Sequence, residues 1–285
     1  MDLIDWLRPW EFSPTLLLMF VAAGWVFLRG VRVHRVGLVR QLFFWSGFVI
    51  LYLSLHTHLD YYAERMFFIH RVQHLVLHHL GPLLIMGAYP GQVMRAGLPM
   101  PWRVRLRDFR LTRAGRAIEA TLTNKYLVPL LFVVLVLGFL IPTVQFYSML
   151  DWRLYRFMNW SVVISGFMYW NLILDRRPSP PAALSPGGRV ISPIVTMVPQ
   201  MVVGAIITFT EHDLYPIFDL CGRAIPGAHG PGHRWPDHVG AGRLCRGLRP
   251  ALCPGDPHAP VGKESSSRPP PRAGADRGAG ILINA

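Results

Sequence analysis

Long apolar runs, separated by short Arg-rich or acidic stretches, set the pattern of this chain. A helix that crosses a membrane needs about 20 mostly apolar residues. Six segments meet that need: about Pro14 to Leu28, Leu42 to His56, Phe67 to Met86, Tyr126 to Tyr147, Leu154 to Leu174 and Val190 to Thr210. Backbone polar groups in lipid must be paired within the segment, so runs of this length read as helices. The pattern predicts an all-α, polytopic membrane helix bundle over residues 1–222.

The residues between the runs orient that bundle. Arg29, Arg32, Arg35 and Arg40 follow the first run, and Asp60, Glu64 and Arg65 the second. The third loop holds Arg95, Arg103, Arg105, Arg107, Arg110, Arg113, Arg116 and Lys125. Asp151, Arg153 and Arg156 follow the fourth run, Arg176, Arg177 and Arg189 the fifth, and Glu211 and Asp213 the sixth. The positive-inside rule puts the first, third and fifth loops in the cytoplasm and the N-terminus outside. Around Val104 to Ile118 the third loop fits either a basic amphipathic helix on the membrane surface or a solvated loop.

Composition narrows the class. Of 285 residues, 52% are hydrophobic and only 16% charged, against about 25% charged in a soluble domain. That argues against a soluble enzyme, and the abundance of Leu, Val and Phe argues against a disordered chain. A formal net charge of +13 would suit a nucleic-acid binder, but the Arg residues lie between apolar runs. Membrane lipid is therefore the expected partner, and nucleic acid is not. Cys221, Cys245 and Cys253 form no CxxC pair, so neither a disulfide framework nor a thiolate zinc site is expected. The start, Met1 to Pro14, has no basic n-region, so no cleaved signal peptide is expected.

From about residue 223 the apolar runs give way to Gly, Pro, Arg, Ala and His. At face value, 223–285 is a disordered tail. However, the sixth helix should leave the chain outside, and a GC-rich gene read out of frame produces such a mixture. Shifted by one base, the codons possible for His229 to Gly242 admit Thr-Asp-Gln-x-Ile-Gly-Gly-Leu-Ile-Met-Trp-Val-Pro-Gly. Those for Arg243 to Pro257 then admit an unbroken apolar stretch. The tail therefore reads as a frameshift product that replaces a last helix.

Ionisable side chains are expensive in a membrane and tend to be functional. Here they gather toward the outer end. His56, His58 and Asp60 close the second run; Met66, His70, Gln73, His74, His78 and His79 open the third; Glu211, His212 and Asp213 close the sixth. His70, His74 and His78 are spaced i, i+4, i+8 and share a helix face. Neutral imidazoles so placed suit copper, zinc or iron. His212 or His56 from a neighbouring helix would supply a third ligand, His58 is a further candidate, and the Met66 thioether suits Cu(I). The bland reading is that a membrane His bonds a neighbouring helix, with Asp60 a cap and Glu211 a solvated helix end. Trp152, Tyr155, Tyr169 and Trp170 read as the interfacial aromatic belt, and Pro82, Pro142, Pro193 and Pro199 as kinks.

No Walker loop, dinucleotide fingerprint or HExxH occurs, and no enzyme chemistry is expected. Two rivals remain. His70 or His74 with His56 or His212 could ligate haem axially in an electron-transfer bundle. A transporter would need a polar path, but the His and carboxylates fade past His79, leaving only Asn159, Asn171 and Gln200 deeper or nearer the other face.

Thr57-His58-Leu59-Asp60, His70-Arg71-Val72-Gln73-His74-Leu75, Gly81-Pro82-Leu83-Leu84 and Gly87-Ala88-Tyr89-Pro90 follow one another closely. Later come Leu184-Ser185-Pro186-Gly187, Val198-Pro199-Gln200 and His212-x-Leu214-Tyr215-Pro216. Together, over roughly residues 10–230, these stretches resemble the multi-spanning CtaG-like family of cytochrome c oxidase assembly factors. The resemblance implies a seven-helix protein of the bacterial plasma membrane that acts as an assembly chaperone on oxidase subunits, with copper as its supposed cargo. By motif it implies functional roles for His70, Gln73, His74 and His212, and more loosely for Asp60.

Overall fold

The computed structural model describes residues 12–210, 214 and 215, which form helices and no β-strand. Helix α1 (Pro14–Val33) starts where the Ser13 hydroxyl accepts the Leu16 N–H, with Pro14 at a position whose own N–H would have no helical partner. Helix α2 (Leu38–His56) ends at Thr57, whose hydroxyl accepts the Leu59 N–H and starts α3 (His58–Arg65). This short helix returns the chain into α4 (Phe67–Leu75), which runs through a π turn (Val76–Leu80) into α5 (Gly81–Gly87). Pro82 explains the π turn. It has no N–H to return to the His78 carbonyl, and its ring would crowd that carbonyl in a regular helix. The wider turn, closed by the Gly81 N–H on the Val76 carbonyl five residues back, accommodates it.

Helix α6 (Pro90–Gly97) leads to a hairpin of α7 (Met100–Leu111) and α8 (Arg113–Leu122). Then come α9 (Leu127–Phe139), α10 (Pro142–Leu150), α11 (Trp152–Ile173) and α12 (Pro186–Phe209). Taken singly, α1, α2 and α12 are long and apolar enough to cross a membrane, and α8 with α9 makes a fourth candidate bent by 65°. The expected third run is the α4–π–α5 helix, and the expected fifth is α11. The expected fourth run breaks after Phe139, because Pro142 begins a new helix rather than kinking one. Pro193 and Pro199 do lie inside a helix, α12.

Helix α11 sits centrally, packed on α5, the π turn, α9 and α10. Phe27 of α1 stacks on Phe44 of α2 with ring centres 3.5 Å apart, and Leu51, Leu77, Ile85 and Val162 extend this core. Without water to drive helices together in lipid, close packing must do it. Two glycines permit it: a Cβ on Gly47 would lie 2.8 Å from the Gly81 carbonyl oxygen, and one on Gly166 2.5 Å from that of His78. Tyr155 and Tyr169 belong to this interior, at 6% and 0% exposure, and not to an interfacial belt. Trp152 is 61% exposed.

The two ends of the bundle differ in chemistry. At one end Arg40 donates to the Ala88 and Tyr89 carbonyls (2.9 and 3.0 Å), and Arg176 lies 3.9 Å over the Tyr89 ring. Tyr89 is held at φ 53°, a left-handed conformation that costs a non-glycine residue energy, most of all before a proline. The opposite end gathers Ser13, His56, Asp60 and Tyr155.

Candidate functional site

The site is built on α4. Just over one helical turn presents His70, Arg71, Gln73 and His74 to α2, α10 and α11. Gln73, fully buried, donates its amide to the Ser54 carbonyl (2.7 Å) and to Asp60 Oδ1 (2.6 Å). The Tyr155 hydroxyl donates to the same carboxylate oxygen (2.7 Å) and lies 3.3 Å from Gln73 Oε1. Asp60 thus joins α3, α4 and α11 through one oxygen.

A second network runs the other way. The Gln145 amide of α10 meets His70 Nε2 at 3.0 Å, and Gln145 Oε1 accepts from Arg71 (3.3 Å). His70 and His74 are 0% and 5% exposed with ring centres 4.4 Å apart, as the i, i+4 spacing predicts. Among the described residues, neither ring nitrogen of His74 has a partner within hydrogen-bond distance, and the Asn159 side chain is a polar group that interacts with it. Buried polar atoms are nearly always paired, so such a group calls for a role. His78 lies farther along, stacked on Phe132 (3.7 Å), with Nδ1 3.3 Å from His79 Nε2.

Two cavities flank this layer. One of about 260 Å³ is lined by Asp60, Glu64, Tyr155, Asn159, Met19 and Met149. The other, about 320 Å³, is lined by Arg71, His74, His78, His79, Gln200 and Thr208. Asn159, read from sequence as deep or near the far face, instead lines the Asp60 cavity.

The remaining candidates fall elsewhere. His56 accepts the Ser13 N–H at Nε2 (3.2 Å), so its Nδ1 carries the proton and donates to the Tyr52 hydroxyl (2.9 Å). Both nitrogens are therefore used within the fold. His58 starts α3 against the Tyr61 ring, and Met66 is the joint between α3 and α4. Glu211 and His212 lie outside the described residues. Among the described residues, no three His, Cys, Asp or Glu side chains converge as metal ligands. Of the predicted ligands, His70 and His74 are the two that the fold places side by side.

Tyr155, Gln145, Arg71 and Asn159 are site residues that sequence reasoning passed over. The signal available was the stripe Tyr155, Asn159, Val162, Gly166, Tyr169 along α11, which marks a face turned inward.

A helix bundle with a buried His pair and a carboxylate-centred network at one end defines a class of polytopic membrane protein. The sequence model of the cytochrome c oxidase caa3 assembly factor family (Caa3_CtaG) matches residues 20–242, and the chain belongs to that family. No curated protein and no solved structure matches it.

Proposed function

We propose that the protein crosses the bacterial plasma membrane six times with its N-terminus outside. There its buried His pair holds copper on the way to cytochrome c oxidase, while the bundle docks on an oxidase subunit. The observation that carries this reading is His74: a buried imidazole, neither nitrogen within hydrogen-bond distance of a partner among the described residues, beside a second imidazole and on the wall of a cavity. Neutral imidazole is a good ligand for copper. Arg residues are more numerous in the first, third and fifth loops than in the second and fourth, which hold Arg65, Arg153 and Arg156, and that excess supports the orientation. Copper here is cargo, so a site with few protein ligands and adjoining cavities suits it better than a closed tetrahedral cage. The haem reading needs a His from a facing helix. Of its two candidates, His56 is committed to Ser13 and Tyr52, and His212 lies outside the described residues.

The test is metal content and an optical spectrum of the purified protein beside a His70→Ala/His74→Ala version. Near-stoichiometric copper that the variant loses, without a Soret band, is the expected result. Copper in neither sample would leave a docking scaffold as the function, and a Soret band would replace copper handling with electron transfer.

A further inference from the structure

The Arg-rich end holds a feature that the oxidase-assembly reading does not use. Helix α7 buries none of its residues, and Trp102, Phe109 and Leu111 on it are 58%, 46% and 71% exposed. The hairpin turns away from the apolar α9, since α8 and α9 meet at 65°. A helix pair set across the axis of a membrane span, bearing both aromatic and basic side chains, has the character of an interfacial element.

Between this hairpin and α6 lies a cavity of about 530 Å³, lined by five guanidiniums, those of Arg95, Arg103, Arg107, Arg110 and Arg116, and one carboxylate, Glu119. These cations have different duties. Arg103 is structural: it donates to the Leu98 carbonyl (2.7 Å) and to that of Ala96, tying α7 to the end of α6. Arg110 pairs with Glu119, and Arg107 with its neighbour Asp108 (3.2 Å). The Arg110 hydrogen bond holds the Glu119 carboxyl below the usual range, with Arg95 and Arg177 adding to the effect, so Glu119 stays ionised. Arg95 and Arg116 make no side-chain hydrogen bond or ion pair among the described residues. Arg95, close enough to Glu119 to act on its charge, and Arg116 thus line, without a hydrogen-bond partner among the described residues, a cavity that three further arginines share. Leu98, Leu106 and Leu111 share the lining.

We propose that this cradle binds the phosphate of an anionic phospholipid, with Arg95 and Arg116 as its ligands and the apolar residues of α7 resting against the acyl chains. The guanidinium fork matches phosphate oxygens bidentately, and the surplus of positive charge selects an anion. A lipid fits better than a soluble anion because exposed Trp and Phe side chains stand on the same hairpin. The site is independent of the His pair and of any metal held there.

The full chain in mild detergent tests it, by thermal unfolding during titration with phosphatidylglycerol, phosphatidylcholine or inorganic phosphate. Phosphatidylglycerol should raise the midpoint saturably, and the other two should not. Arg95→Gln/Arg116→Gln should keep its lipid-free midpoint and bind phosphatidylglycerol about 30-fold more weakly, since each basic side chain near an anionic surface contributes roughly fivefold. An equal response to phosphatidylcholine, or unchanged binding by the variant, overturns the proposal. An equal response to inorganic phosphate makes the cradle a free-anion site and overturns the lipid assignment. Should the variant fail to accumulate, the salt dependence of phosphatidylglycerol binding by the unmodified protein decides, because binding through exposed Arg must weaken as salt rises.

Discussion

Asp60 Oδ1 takes two donors, the Gln73 amide and the Tyr155 hydroxyl, from two different helices. Removing one donor should therefore cost less than removing the acceptor. Tyr155→Phe deletes one hydrogen bond to a charged group, a loss of about 1.5–3 kcal/mol. Asp60→Ala strips a partner from two buried donors at once and should cost more than Tyr155→Phe. Thermal unfolding in detergent gives the order directly, and a Tyr155→Phe loss equal to or above that of Asp60→Ala would show that the carboxylate is not the hub. His56 gives a complementary prediction. Since Ser13 and Tyr52 occupy its two ring nitrogens, His56→Ala should lower the unfolding midpoint and leave the copper content unchanged; copper loss in that variant would make His56 a ligand after all. The residues of α4 could be named from sequence because helical period turns spacing into a face. Tyr155 could not, since its carboxylate partner lies 95 positions away. An aromatic near the end of an apolar run reads the same whether it meets lipid headgroups or a buried acid.

The apolar runs located most helices because lipid demands length and low charge, and both are visible in a one-dimensional pattern. What the pattern hid was breakage. Ile141-Pro142 reads as a kink in a continuous run, yet a helix ends before it and another starts at Pro142. The π turn has no hydropathy signal either; it follows from the missing N–H of Pro82. That turn presents the His78 carbonyl to α11, where Gly166 lies against it. Gly166→Ala would place a methyl group 2.5 Å from that oxygen, and overpacking of this kind costs about 1–3 kcal/mol. Gly204 on α12 is the control. Among the described residues nothing lies within 4 Å of a Cβ built there, so Gly204→Ala should be neutral or stabilising by up to about 1 kcal/mol through helix propensity. Paired melting curves check both, and equal effects from the two substitutions would mean that the α5–α11 contact is not tight.

At the scale of the whole molecule, the least buried of the three single-helix candidate spans is α12. Only 6% of its apolar window is buried, mainly against α9. In lipid such a helix is tolerated, because hydrocarbon is as apolar as its side chains, but a helix with few packing partners adds little to the stability of the bundle. The family match continues past it to residue 242, into the stretch where Gly, Pro and Arg replace apolar runs. The codons of that stretch, shifted by one base, admit a further apolar segment. We propose that restoring the frame supplies α12 with a helical neighbour and carries the chain back across the membrane. A bundle closed in this way exposes fewer unpartnered polar groups to lipid, where each costs several kcal/mol, and should survive membrane quality control better. The frame-restored gene, expressed beside the present one under the same promoter and with the same N-terminal tag, should therefore accumulate more protein in the membrane fraction by immunoblot. Equal accumulation would mean that the bundle through α12 is sufficient by itself. The added segment would then have to act on docking rather than on stability.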